Sequence, residues 1–322
     1  MYMYYENEDY EINLALRTLD KIYYERIIRP YKSSEKIIDM YTFSKYSGGD
    51  LSPYELIRLA IEQKVKTLAI TDYNTIEGVK NINRNDELII DSGIEIINAV
   101  MLSGESNLGM INILGYGIDV NNKNLNIKMS KLKDNNINLT LSILEEIKNE
   151  YRIIFCYEDI KKIINANHNL GILDIARLFI KYDYINKINT EILNYLSSVF
   201  NKVRHLNKGL TYQECIELIV NSGGIPVLYP KILNISEKES LVLLREMIGL
   251  GLKGIMVYQS NYSQEEIEYY LEIATKYNLL ISGGSGFHSE IFSEGVKVGT
   301  GKNNNINIKN LSLLNELHKK SN

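Results

Sequence analysis

Apolar positions along this chain follow two rhythms. Short apolar runs at Thr67 to Thr71, Ile94 to Val100, Met110 to Leu114, Ile225 to Leu228, Gly254 to Val257 and Leu279 to Ser282 read as buried strands, as does Leu88 to Asp91. Between them lie helical stretches: one opens at Pro53 with Ser52 as N-cap and runs to about Lys64, and others cover Lys238 to Leu250 and Ser263 to Lys276. Such alternation predicts a largely parallel sheet or barrel. Residues 121–209 break the rhythm. Ile137, Leu141, Leu144 and Ile147 share a helical face, and Asp159 to Asn165 and Ile172 to Ile180 also read as helices. This stretch is expected to be a helical insertion capping the barrel mouth. Before the barrel, Ile12, Ala15, Leu16, Leu19, Tyr23 and Ile27 mark an amphipathic helix over Glu11 to Arg29, ended by Pro30. The predicted division is an N-terminal helical extension (1–36), a barrel (37–120 and 210–303), the insertion (121–209) and a C-terminal helix (304–322, with Ile308 to Lys319 helical).

Composition narrows the function classes. The 322 residues carry a net charge of −4, which disfavours a nucleic-acid partner. Two cysteines, Cys156 and Cys215, suggest neither a disulfide framework nor a zinc knuckle. The acidic N-terminus MYMYYENEDYE is unlike a signal peptide, and no apolar stretch of about 20 residues offers a membrane span. The expectation is a cytoplasmic protein without a membrane partner. The run SGGSG at Ser282 to Gly286 lacks the Lys-Ser/Thr of a P-loop and reads as a strand end.

The stretch IDMYTFSKYSGGD, from Ile38 to Asp50, resembles the opening strand and loop of the PHP (polymerase and histidinol phosphatase) family, where it reads D-x-H-x-H-x-x-x-S-D-G. Asp39, Ser47 and Gly49 match. Further strings follow in order: LAITDYNTIEGV, SGIEI, NILGYGID, GGIPVLYP, GLKGIMVY and GGSGFH. They are similar to the family's LAITDHDTxxG, GIEI, HILGY, GGxxVLAHP, GLxGIEVY and GSDFH, most of all in its 3′,5′-nucleoside-bisphosphate phosphatase subgroup. The resemblance implies an irregular (β/α)7, TIM-like barrel of PHP type with a helical insertion, here with an extra N-terminal helix. It implies descent from metal-dependent phosphoric ester hydrolases using manganese, iron or zinc.

At the positions where the family binds metal, this chain has Tyr41, Phe43, Gly48, Tyr73, Asn112, Tyr229 and Gly286; only Glu95 and His288 retain the family's residue. Tyr41 and Phe43 keep the i, i+2 spacing that puts two side chains on one strand face, but not the imidazoles. Asp174 stands where a histidine near the substrate is often found, and Arg177 and Lys231 follow matched motifs as candidate phosphate contacts. Metal lowers the pKa of bound water from about 15.7 to about 7, an activation that a lone Glu95 or His288 does not supply. The reading is a pseudoenzyme without a cofactor, its degenerate pocket binding a small phosphorylated ligand or a protein partner. Two alternatives stay open: a phosphoesterase with a reduced metal site at Glu95 and His288, and a structural or interaction subunit.

Overall fold

The computed structural model of the chain describes residues 37–166, 170–206, 209–231, 237–289 and 295–321; the helix expected at Glu11 to Arg29 lies outside them. In chain order the barrel opens with β1 (Ile37–Thr42), α1 (Pro53–Glu62), β2 (Val65–Ile70), α2 (Glu77–Lys80), α3 (Glu87–Ser92), β3 (Glu95–Ser106) and β4 (Gly109–Tyr116). Four helices follow: α4 (Lys123–Tyr151), α5 (Tyr157–Ala166), α6 (Ile172–Lys181) and α7 (Thr190–Val203). The barrel resumes with β5 (Leu210–Thr211), α8 (Tyr212–Asn221), β6 (Ile225–Tyr229), α9 (Glu237–Gly249), β7 (Gly254–Gln259), α10 (Gln264–Lys276) and β8 (Leu280–Gly284). A small hairpin, β9 (Val296–Lys297) with β10 (Gly301–Lys302), precedes the closing helix α11 (Ser312–Ser321).

Seven strands lie in the order β1-β2-β3-β4-β6-β7-β8, with β5 paired to β3 off this path. Beyond β8 the chain returns to β1: Phe43 N–H donates to Phe287 O at 2.9 Å and Gly286 N–H to Tyr41 O at 2.8 Å. The sheet is therefore nearly a closed barrel of seven strands. Side chains alternate between its faces, as strand geometry requires. Met40, Ala69, Met101, Leu114, Val227 and Met256 pack inward, where Leu313 and Leu314 of α11 join them. Val100, Leu102, Ile113 and Ile255 pack outward against residues of α8, α9 and α10. The insertion has its own core, with Ile147, Ile175, Phe179 and Leu196 buried together.

One expectation about the elements needs correction. Leu88 to Asp91 belongs to helix α3, not to a strand. Asp86 caps it by accepting from Leu88 N–H at 2.9 Å, and Gly93 ends it in the left-handed region at φ 61°. Four apolar residues suit either element, and the caps decide. The strands expected at Ile94 to Val100 and Met110 to Leu114 are β3 and β4, which form one long antiparallel hairpin paired from Ala99↔Tyr116 to Ser106↔Gly109. β4 then runs antiparallel to β6 as well. The architecture is a mixed, largely parallel barrel, in keeping with the irregular seven-stranded form that the resemblance implies.

Candidate binding site at the barrel mouth

Parallel strands deliver their C-terminal residues to one end of the barrel. Here those residues are aromatic. Tyr41 meets Phe43 edge-on at 4.9 Å between ring centroids, and Phe43 stacks on Tyr73 at 5.6 Å. Tyr41 also lies 5.8 Å from Tyr229, and Tyr229 lies 6.2 Å from Tyr262, which packs against Tyr270 at 5.2 Å. These separations are those of favourable aromatic pairs. The rings make a continuous band from β2 across β1 and β6 to α10. Tyr41 and Phe43 are buried in it. Burial holds the phenols of Tyr41, Tyr73 and Tyr229 above their ordinary pKa of 10.0, and for Tyr41 and Tyr73 the neighbouring phenols push the same way. The Tyr262 hydroxyl is buried beside Tyr229, and its pKa too is raised by burial.

Polar contacts frame this band. Asp39 accepts from the backbone N–H groups of Gly299 at 2.7 Å, Ser285 at 2.8 Å and Tyr41 at 3.2 Å, tying β1 to the far end of the barrel. Asp72 accepts from Ser44 N–H at 2.8 Å and from the hydroxyls of Ser44 and Ser47, both at 2.6 Å, and so fixes the loop after β1. Both carboxyls are fully buried, and burial raises their pKa despite these donors. On the β3–β4 side, Ser103 Oγ donates to Asn112 Oδ1 at 2.7 Å and Asn112 Nδ2 donates to Tyr73 Oη at 3.1 Å. Ser103 N–H donates to Asn74 Oδ1 at 2.9 Å. Asn74 has φ 49°, a left-handed conformation that asparagine tolerates better than most residues.

Beside the Tyr73 end of the band, between barrel and insertion, lies a cavity of about 430 Å³. Tyr73, Asn74, Ser103 and Asn112 line its barrel side, and Leu139, Ile172, Leu173 and Phe200 its insertion side. Arg177 ties the two together. It bridges Asp174 at 3.1 Å, Asp50 at 2.9 Å and the carbonyl of Gly48 at 3.2 Å. Asp174 lines the cavity but is buried, its other oxygen accepting from Gly171 N–H at 3.0 Å as part of the α6 cap.

The structure thus brings together Tyr41, Phe43, Tyr73 and Tyr229, with Asn112, Gly48 and Asp174 at the cavity. It separates Glu95. That residue opens β3, opposite Thr67 in β2, whereas Tyr73 bridges to Met101. Six residues of strand put Glu95 ~20 Å from the aromatic band. Its carboxylate accepts from Thr67 Oγ1 at 3.0 Å and meets His318 Nε2 of α11 at 2.7 Å, so it serves the barrel floor. His318 lies 223 residues away in the chain, and only the fold makes it a partner of Glu95. The expectation of Glu95 in the pocket is corrected: the string SGIEI matched, but β3 continues far past it. Met101, whose sulfur lies 4.0 Å from Tyr41 Oη, occupies that level of the strand. His288 sits just past the barrel-closing bridge, its Nδ1 3.1 Å from Gly286 O. Lys231 is exposed. The sequence did not point to Tyr262, which lies in no matched string, whereas Asn74, inside the TDYNT string, was a candidate oxygen donor and does stand at the cavity.

The donor set does not fit a cluster of divalent cations. Phe43, Gly48 and Gly286 offer no side-chain donor, the phenols stay protonated, Asn112 is engaged in its network, and Glu95 is at the other end. Among the described residues no three His, Cys, Asp or Glu side chains come together in a metal-holding group. The backbone at two of these positions suits glycine. Gly48 has φ 98° and Gly286 φ 74°, conformations that L side chains rarely adopt. A Cβ on Gly286 would stand 2.7 Å from Gln259 Nε2. Among the described residues, no helix is long and apolar enough to cross a membrane.

No protein-family model matches the chain. Known proteins are nonetheless distantly similar over most of it. The 3′,5′-nucleoside bisphosphate phosphatase of Chromobacterium violaceum is 21% identical over 254 residues, 78% of this chain and 87% of the relative. The 5′-3′ exoribonuclease of Haemophilus influenzae is 25% identical over 260 residues, 79% of this chain and 90% of the relative. A solved structure from Bifidobacterium adolescentis, described as a metal-dependent phosphoesterase, superposes with a TM-score of 0.69 at 17% identity, covering 89% of this chain and 97% of that one. The fold, a nearly closed barrel of seven strands with flanking helices, matches that of this solved structure.

Proposed function

We propose that this chain is a divergent PHP-family protein that binds a small ligand at the barrel mouth and does not hydrolyse phosphate esters. The observation that carries this reading is the aromatic band: rings stand at the strand ends where the resemblance places metal ligands. Hydrolysis needs a water made nucleophilic, and metal does this by lowering its pKa from about 15.7 to about 7. Protonated phenols and an engaged amide give no equivalent. A general base acting alone supplies about 10²–10⁴ in rate, and Glu95, spent on the barrel floor, is too distant to be one. What remains at the mouth is a cavity with polar groups on one side and apolar groups on the other, the usual form of a small-molecule site.

The test is to express the protein in medium supplemented with manganese, iron and zinc and to measure bound metal together with turnover. The substrates are a 3′,5′-bisphosphonucleotide and a 5′-phosphorylated RNA, chosen because the distant relatives are named for acting on such molecules. The expected result is metal well below one equivalent and hydrolysis at background. Stoichiometric metal with turnover abolished by chelator would overturn the proposal and restore the phosphoesterase reading.

A further inference from the structure

The resemblance suggested a phosphorylated ligand, with Arg177 and Lys231 as its contacts. The cavity argues otherwise. Arg177 is committed to two carboxylates and a carbonyl. Of the charged side chains lining the cavity among the described residues, Glu105 and Asp174 are acidic and Arg204 is basic. Lys231 is not among them. Asp174 is already paired with Arg177, so a phosphate dianion entering here meets, among the described residues, the Glu105 carboxylate against the Arg204 guanidinium, a setting that gives a dianion little net attraction.

The remaining polar lining consists of amides and hydroxyls. Asn74 Oδ1 accepts a backbone N–H, which fixes the orientation of the amide and leaves Nδ2 as the donor end. No protein acceptor for Nδ2 is found among the described residues, and Asn74 lines the cavity. Ser103, Asn112 and Tyr73 beside it form a chain of groups that both donate and accept. Asn135 and Asn136 add amides from α4, and Glu105 a carboxylate acceptor. Against these stands the apolar wall of Leu139, Leu173 and Phe200. A hydroxyl both donates and accepts, so a ligand bearing many hydroxyls satisfies amides and carboxylates around its rim, while the C–H face of its ring covers apolar side chains.

We propose that the mouth cavity binds an uncharged polyhydroxylated ligand of sugar type, with Asn74 as a principal donor to it, and discriminates against the phosphorylated form. This rests on the reading of the mouth as a metal-free binding site and names the class of its ligand.

The experiment is calorimetric titration and thermal shift of the full chain in chelator. The panel comprises neutral methyl glycosides and disaccharides, the corresponding sugar phosphates, and inorganic phosphate. At least one neutral sugar is expected to bind and raise Tm, its phosphate ester binding at least about tenfold more weakly. The diagnostic variant is Asn74→Gly, which deletes the amide yet suits the left-handed backbone, so the fold survives. It should weaken the sugar about tenfold, the scale of one good hydrogen bond. Asn112→Ser is the second variant, expected to act in the same direction, and far-UV circular dichroism checks both for native structure. Inorganic phosphate or sugar phosphates binding as tightly as the neutral sugars would overturn the inference. So would a panel without any Tm shift, or unchanged sugar affinity in a folded Asn74→Gly. Because chelator is present throughout, these failures are separate from metal-dependent turnover, which would instead defeat the proposed function.

Discussion

The two halves of the barrel mouth make opposite use of the same strand ends. On the β1–β6 half, Tyr41, Phe43 and Tyr229 pack ring to ring, and neither Tyr41 nor Phe43 lines the cavity. On the β3–β4 half, Tyr73, Ser103 and Asn112 keep their polar atoms in a hydrogen-bonded chain whose edge opens to the cavity. Tyr73 belongs to both: its ring stacks on Phe43 and its hydroxyl accepts from Asn112. The dry half fills its space with apolar area, and the wet half leaves room for a ligand. The contrast teaches that the strand ends of one barrel mouth can serve two purposes. Where rings close the space, the strand ends become core; where amides line it, they stay a surface that can bind.

Alkaline pH should separate the halves most sharply. Burial raises the phenols of Tyr41, Tyr73 and Tyr229 above 10.0, while the unfolded chain ionises near that value. Above pH 10 the folded state therefore holds more protons than the unfolded one. Their contribution to stability is complete below that pH and is lost as pH rises toward the folded values, by about 1.4 kcal/mol per pH unit for each phenol. Denaturant midpoints across this range should fall steeply, and phenolate absorbance should grow together with unfolding. Reversible ionisation of all the tyrosines near pH 10 in the folded protein would mean the band is wet.

Next in size is Tyr41→Ala. It removes a buried ring from the middle of the band, and truncating a buried aromatic costs about 3–5 kcal/mol. Thermal or urea unfolding measures the loss. A cost below about 1 kcal/mol would show that the rings are not core. Smaller again is Asp72→Ala, which leaves Ser44 N–H and two hydroxyls without their acceptor. Hydrogen bonds to charged groups contribute about 1.5–3 kcal/mol, and burial of the carboxylate offsets part of that, so a net loss of about 2 kcal/mol is expected.

Much of the barrel was legible because its strands and helices are short, regular and capped by local chemistry. Thr211 with Glu214 and Ser263 with Glu266 are capping boxes readable from the sequence, and α10 begins where Ser263 placed it. The β3–β4 hairpin was harder to read. Its strands are twelve and eight residues long, interrupted by polar Asn98, Ser103 and Asn112, and strand length is set by pairing with distant residues rather than by local periodicity. Glu95 was misplaced for this reason, since a matched string fixes a residue's neighbours but not how far the strand runs beyond them. Tyr41, Phe43, Tyr73 and Tyr229 could be gathered from the resemblance, but Tyr262 came from the approach of the loop between β7 and α10 to β6, a tertiary fact without local signature.

The smallest effect is the most informative about the wet half. Asn112→Ala deletes a side chain that accepts from Ser103 and donates to Tyr73. On the dry half, removing a partner would strand polar atoms in a low-dielectric interior, at about 1–3 kcal/mol each. Beside the cavity, water can enter the vacated space and take over both bonds, because a bridging water is nearly as good a partner as the amide it replaces. The expected loss of unfolding free energy is therefore under about 1 kcal/mol, measured against Tyr41→Ala in the same urea titration. A loss as large as that of Asp72→Ala would place Asn112 in a closed polar core. The mouth would then be dry on both sides, and the cavity would have no polar edge with which to recognise anything.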